Sequence, residues 1–256
     1  MSHHQFSVER RTALLGLVYL IGNISSDSLR ADERKLRVIT EEWAPYNFTE
    51  NGVLKGFSVE VLQNILENFN LKVPIEIYPS MRVRSLLSNA TETMMITMLR
   101  TPEREQRYKW IGPLGDGEIY FYKKSGNTLE ISNLSDAKNV KLIGCRHGGL
   151  VLDSLTSAGF MNLDPTSTDG ESVYRKLLLD RCDLAISDTP LGVRYLVKKM
   201  NYPPHALVQT SVKLVGAPLY IACSTDISDI EIARWQKALD GMKASGLFAE
   251  IQKKYH

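Results

Sequence analysis

From Leu36 onward, short apolar runs alternate with stretches whose apolar residues recur every three or four positions. LRVIT (36–40) reads as a strand, GFSVEVLQNILENFN (56–70) as an amphipathic helix and VPIEIYP (73–79) as a second strand. The chain therefore opens as a βαβ unit. A helix around Val83–Ser88 and a strand over Thr93–Leu99 follow, and the prolines and glycines of RTPEREQRYKWIGPLGDGE (100–118) predict loops and turns. A second alternating region contains the strand VKLIG (140–144), helices over Gly149–Ala158 and Ser172–Leu179, the strand DLAIS (183–187) and a helix over Leu191–Lys199. The strand PLYIAC (218–223) and a helix over Ile230–Met242 lead into SGLFAEIQKKY (245–255).

This order predicts an α/β protein of mostly parallel sheets covered by helices, with ligands held outside the carboxyl ends of strands. A faint repeat divides it. LLSNATETMMIT (86–97) and LLLDRCDLAISD (177–188) each read helix, polar turn, acidic residue, apolar strand, polar end, leaving Thr97 and Asp188 at corresponding strand ends. A chain of 256 residues accommodates two such lobes of about 100 residues each.

Charge narrows the partners. Thirty-one Lys and Arg against 29 Asp and Glu give a formal net charge of +2, which provides no footprint for nucleic acid or an anionic membrane and points to a small neutral or zwitterionic ligand. Arg10 and Arg11, the apolar run Thr12–Gly22 and the polar stretch before Ala31 follow the order of a signal peptide, and so few apolar residues do not span a bilayer about 30 Å thick. Residues 1–31 are accordingly expected to be removed on export, leaving a soluble periplasmic protein. The three cysteines, Cys145, Cys182 and Cys223, cannot all pair with one another and fit no metal motif, so they read as buried free thiols, with one bridge between two of them still possible. No cofactor or metal is expected.

The stretch MMITMLRTPEREQRYKWIGPL (94–114) carries the most information. Together with LRVITEEWAPYNF, GVLKGFSVEVL, LIGCRHGG, DLAISD and ALDGMKASGLFAEIQKKY, in that spacing, it resembles the periplasmic solute-binding proteins of the polar amino-acid class, the extracellular solute-binding proteins of family 3 that serve ABC transporters. The resemblance implies the two-lobed type II periplasmic-binding-protein fold with the ligand cleft between the lobes. It places lobe 1 at 36–117 plus 217–256 and lobe 2 at 118–216, with crossings near Asp116–Glu118 and Ser211–Gly216 that put Gly117 and Gly216 at hinge positions.

The resemblance also implies roles for individual residues. Arg104 would grip a ligand carboxylate through its planar fork, and Asp188 would accept the ammonium group, although it is equally placed to cap a helix beginning near Pro190. Thr97 would hydrogen-bond the ligand, Met98 and Leu99 would offer main-chain groups, Trp43 would cover the ligand side chain and Glu41 would add a cleft carboxylate. Arg82, in PSMRVRSLL before a helix, resembles a cleft-facing basic residue of some members and would select an acidic or polar side chain. Gly149 and Leu150 stand where the family often has threonines, which leaves backbone amides at that helix start to hold an anion. The partners implied are a small amino acid or related carboxylate and an ABC permease, with a monomeric receptor. Two other classes stay open: a periplasmic enzyme of the same fold resembling a dehydratase, using Glu41, Asp188 or His147, and the ligand-binding part of a sensory system.

Overall fold

The computed structural model describes residues 36–89 and 91–255; the expected signal segment, 1–31, lies outside the described residues. Eight strands form one sheet in the order β4-β1-β5-β10-β6-β9-β7-β8. On one side lie β1 (Arg37–Thr40), β4 (Ile75–Ile77) and β5 (Thr93–Leu99), with β1 parallel to both neighbours. On the other lie β7 (Ile143–Arg146), β8 (Leu163–Ser167) and β9 (Leu184–Ile186), with β7 parallel to both neighbours. Between them run two long antiparallel strands, β6 (Lys109–Lys124) and β10 (Leu207–Cys223). Outside the large sheet, β2 (Phe48–Glu50) and β3 (Val53–Lys55) form a hairpin through Asn51 and Gly52, both at positive φ as a two-residue hairpin turn requires.

The long strand β6 corrects the reading of 100–118 as loops and turns: only its first part, containing a 3-10 turn at Pro102–Arg104, is irregular. Its glycines mark close packing as well as bends. A methyl group at Gly112 would lie 2.4 Å from the Tyr220 ring, and one at Gly117 would lie 2.2 Å from Leu99 Cδ2. Register shifts at three places along the β6–β10 ladder absorb the irregularity. Strand β10 likewise starts eleven residues before PLYIAC, because alternation is broken where the pairing shifts.

Helices cover both faces. Helix α1 (Phe57–Asn68) buries Val61, Leu62, Ile65 and Leu66, and α2 (Ser80–Asn89) buries Val83 and Leu87, each at helical spacing. Next come α3 (Leu134–Asn139), α4 (Gly149–Ser157), α5 (Gly170–Leu178), α6 (Pro190–Lys199), α7 (Asp229–Ala244) and α8 (Leu247–Tyr255). Asp169, Thr189 and Ser228 cap α5, α6 and α7 by accepting a backbone N–H, each contributing about 1 kcal/mol. Two apolar clusters result. One joins Ile39, Val83, Leu87, Met95, Met98 and Tyr108 around β1, β5 and α2; the other joins Tyr122, Val173, Tyr174, Leu177, Leu196 and Val197 around β9, α5 and α6. No helix among the described residues is long and apolar enough to cross a membrane.

All three cysteines are free and buried. Burial pushes the Cys145 and Cys182 thiols up to about 11 and the Cys223 thiol well above its usual range, so none supplies thiolate near neutral pH. A thiol reagent at pH 8 is expected to label none of the cysteines in the native protein and all three once guanidinium unfolds it. Fast labelling of one in the native state would contradict their burial.

Candidate functional site

A cavity of about 540 Å³ opens at the carboxyl ends of β1, β5, β7 and β9, bounded on its remaining side by residues 214–217 of β10. Its walls draw on the first of the two apolar clusters through Val83, Met95, Met98 and Tyr108. Glu41 and Trp43 follow β1, Thr97, Met98 and Leu99 end β5, and Arg104 closes the 3-10 turn. Across from them are Arg146 at the end of β7, Gly148, Gly149 and Leu150 at the start of α4, and Ser187 after β9.

Thr97 is the most constrained of these residues. Its φ of 65° is uncommon for any residue with a Cβ and costly for a β-branched one, and it coincides with a bulge in the β5–β10 pairing, where Met98 faces Tyr220 but Met95 already faces Ala222. The bulge interrupts strand alternation beside the cavity. Strain held in a wholly buried residue at a strand end is a signature of a working site.

Electrostatics set the character of the walls. Arg104 donates to the Leu99 carbonyl at 3.1 Å and makes no ion pair among the described residues, while burial and then nearby Arg84 push its pKa down. Burial pushes the Glu41 carboxyl up, opposed chiefly by Arg146 at 3.9 Å; Glu41 also accepts a hydrogen bond from the Ser80 hydroxyl. Arg84, on α2, pairs with Asp153 of α4 at 2.7 Å across the cavity mouth. With the two side chains 42% and 54% exposed, that pair is worth at most about 1 kcal/mol. A second cross-connection is drier: the buried Tyr46 hydroxyl bonds the Thr189 hydroxyl at 2.9 Å.

Asp188 lies just behind the cavity surface. It is 3% exposed, and desolvation dominates in pushing its carboxyl up, with Arg146, the Ser187 hydroxyl and the Trp43 indole acting in the opposite sense. Its Oδ2, the Ser187 hydroxyl, the Trp43 indole nitrogen and the Thr97 hydroxyl are all buried without a hydrogen bond of good geometry. Four such polar groups around one cavity are costly in the free protein, at about 1–3 kcal/mol each, and become favourable only if a polar partner meets them. The helix-capping role open to Asp188 is filled by Thr189, which accepts from the Gly192 amide.

Of the residues read from the sequence, Glu41, Trp43, Thr97, Met98, Leu99, Arg104, Gly149 and Leu150 line the cavity, and Asp188 backs its wall. Arg82 does not. It is exposed on α2, and Arg84 lines the cavity instead. The phase of that helix explains the difference: with Val83 and Leu87 inward, Arg84 flanks the buried stripe on the Ser80 side, and Arg82 lies on the opposite flank. Arg146, Ser187 and Arg107 were not anticipated, although the first two occupy strand ends, where the alternating pattern already located the ligand.

With this geometry in hand, the family profile of the bacterial extracellular solute-binding proteins, family 3, matches residues 36–256. The chain belongs to that family. It is thus a solute-binding protein, and its relatives extend the likeness. A Bacillus subtilis (strain 168) protein named as a probable amino-acid-binding protein, YxeM, is 24% identical over 254 residues, covering 95% of this chain and 91% of its own. A histidine kinase sensor domain with similarity to periplasmic binding proteins superposes with a TM-score of 0.75 at 18% identity, over 88% of this chain and 97% of its own. An amino acid ABC transporter substrate-binding protein from Streptococcus pneumoniae Canada MDR_19A, bound to L-arginine, gives 0.70 at 17% identity, over 89% of this chain and 96% of its own. These superpositions establish the type II periplasmic-binding-protein fold.

One glycine tests how closely Asp188 is fitted. A methyl group at Gly170, the first residue of α5, would lie 2.2 Å from Asp188 Oδ2. Gly170→Ala in the solute-binding protein is expected to displace that carboxylate and weaken ligand binding at least about tenfold, or about 1.4 kcal/mol, as titration calorimetry would record. Undiminished affinity would show that Asp188 need not hold its position.

Proposed function

We propose that the cleft captures a free amino acid and hands it to an ABC permease after export. In this reading Arg104 receives the α-carboxylate, Asp188 receives the ammonium group, Glu41 adds a cleft carboxylate beside it, and Trp43 covers the side chain. Thr97 and Ser187 offer hydroxyls, Met98 and Leu99 line the strand-end wall, and the Gly149 and Leu150 amides face the carboxylate from the opposite side. The observation that carries the reading is the set of buried polar atoms without a hydrogen bond of good geometry around the same cavity as an arginine with no ion pair among the described residues. An amino acid brings the complementary carboxylate and ammonium in one small molecule.

Closure follows from the same layout. Lobe 1 is taken as 36–117 plus 217–256 and lobe 2 as 118–216, because β10 pairs with β5 only through Leu219–Cys223 and β6 pairs with β9 at Tyr122. The crossings therefore fall between these points, with Gly117 and Gly216 within them. A ligand touching both lobes stabilises the closed arrangement by its differential contacts. The Arg84–Asp153 and Tyr46–Thr189 contacts would then belong to the closed form. Export through removal of residues 1–31, a monomeric state and reversible binding without catalysis complete the proposal.

The test is direct. Arg104→Ala is expected to reduce amino-acid affinity by about 2–5 kcal/mol in titration calorimetry while the melting temperature of the free protein changes little. Equal affinity in the variant and the parent protein would remove Arg104 from the site.

A further inference from the structure

The carboxylates and arginines of the cavity are not matched in the same way. Three carboxylates line it, and two of them, Asp153 and Glu41, are paired or hydrogen-bonded within the protein. Asp153 pairs with Arg84 at 2.7 Å, and Glu41 accepts from Ser80 and faces Arg146. Glu103 is exposed on the 3-10 turn, where the Thr101 hydroxyl and its own backbone amide hold it below the usual carboxylate range. Four arginines line the same cavity, and two of them, Arg104 and Arg107, make no ion pair among the described residues.

Those two arginines share one turn. The Arg107 amide donates to the Arg104 carbonyl at 3.0 Å, continuing the tight turn of Pro102–Arg104, and residues three apart in such a turn project in nearly the same direction. Arg104 is mostly withdrawn from water while Arg107 stands exposed at the rim. Together they form a graded pair of cations, one deep and one shallow, along one wall. A ligand with a single carboxylate engages the deep guanidinium and leaves the shallow one to solvent. A cationic side chain meets Glu41 and Asp153 already engaged, and two unpaired guanidiniums beside the exposed Glu103.

We propose that the ligand carries two acid groups, as in an acidic amino acid, with Arg107 as the specificity-determining residue for the second. This rests on the amino-acid reading above, in which Arg104 takes the first carboxylate and Asp188 the ammonium. The arrangement also disfavours a side chain like that of arginine, which the Streptococcus pneumoniae relative binds, because Glu41 and Asp153 already have protein partners and two unpaired arginines line the same wall as Glu103.

Titration calorimetry of the mature protein and of Arg107→Met against glutamate, aspartate, glutamine, arginine and glutarate decides the matter. One of the two acidic amino acids is expected to bind at least about tenfold more tightly than glutamine and arginine, a difference that shrinks on raising the salt concentration because one partner is exposed. In Arg107→Met that acid is expected to lose about tenfold and glutamine much less, bringing the ratio towards one. Glutarate binding as well as glutamate would uphold the two-acid requirement while removing the ammonium contact at Asp188. Glutamine or arginine binding as tightly as the acids, or an unchanged ratio in Arg107→Met, would overturn this inference and leave the amino-acid reading standing. Absence of binding by all five would overturn both.

Discussion

The pairing of β6 with β10 is the constraint on which the rest of the molecule depends. These strands run antiparallel from Leu207–Lys124 at one end to Cys223–Lys109 at the other, with β5 beside β10 at Leu219–Cys223 and β9 beside β6 at Tyr122. One end of the pair is therefore built into the β1–β5 side and the other into the β9–β7 side. Glycines at 112 and 117 let Tyr220 and Leu99 pack against the strand, and register shifts relieve the accumulated strain without breaking the ladder. Every other strand bordering the cavity ends where this pair crosses it, which brings side chains from distant parts of the chain within reach of one small molecule.

Local sequence accounts for the elements on either side, and desolvation accounts for what lies between them. Burial pushes the Asp188 and Glu41 carboxyls above their usual range, and Arg146 is the chief charge opposing that shift in both. Arg104 is disfavoured as a cation for the same reason and by its neighbour Arg84. A free protein that keeps such groups half-satisfied gives up stability at its cleft, and the cost is recovered when a ligand supplies the missing charges. The strained Thr97 belongs to the same set: its backbone is held by the β5–β10 bulge, while its hydroxyl has no internal partner.

Much of this was legible in the residues. The βαβ opening, the helices over 57–68, 190–199 and 229–244, and the fully buried β5 follow from periodicity and caps. The cavity-lining residues at strand ends followed from the alternation together with the family resemblance. The long strands were less visible, because Pro113, Gly112, Gly115 and Gly117 carry turn signals that only the partner strand overrides. Strand β8 was missed for a similar reason: LDPTS holds an aspartate and a proline, and it is an edge strand, where proline is tolerated. Arg82 shows the limit of motif position. It lies on α2 and not in a loop before the helix, and only the inward phase of Val83 and Leu87 tells which arginine faces the cleft. The absence of an ion pair at Arg104 and Arg107 had no sequence signal at all, since acidic residues surround both along the chain.

The central claim is that the deep arginine and the buried aspartate hold the two ends of one zwitterion. A crystal structure of the mature protein grown with its tightest-binding amino acid tests it most directly. The account predicts the α-carboxylate in a forked hydrogen bond with Arg104, the ammonium group against Asp188 and the side chain beside Trp43. An amino acid bound with its carboxylate away from Arg104, or outside the cavity at the ends of β5 and β9, would contradict it.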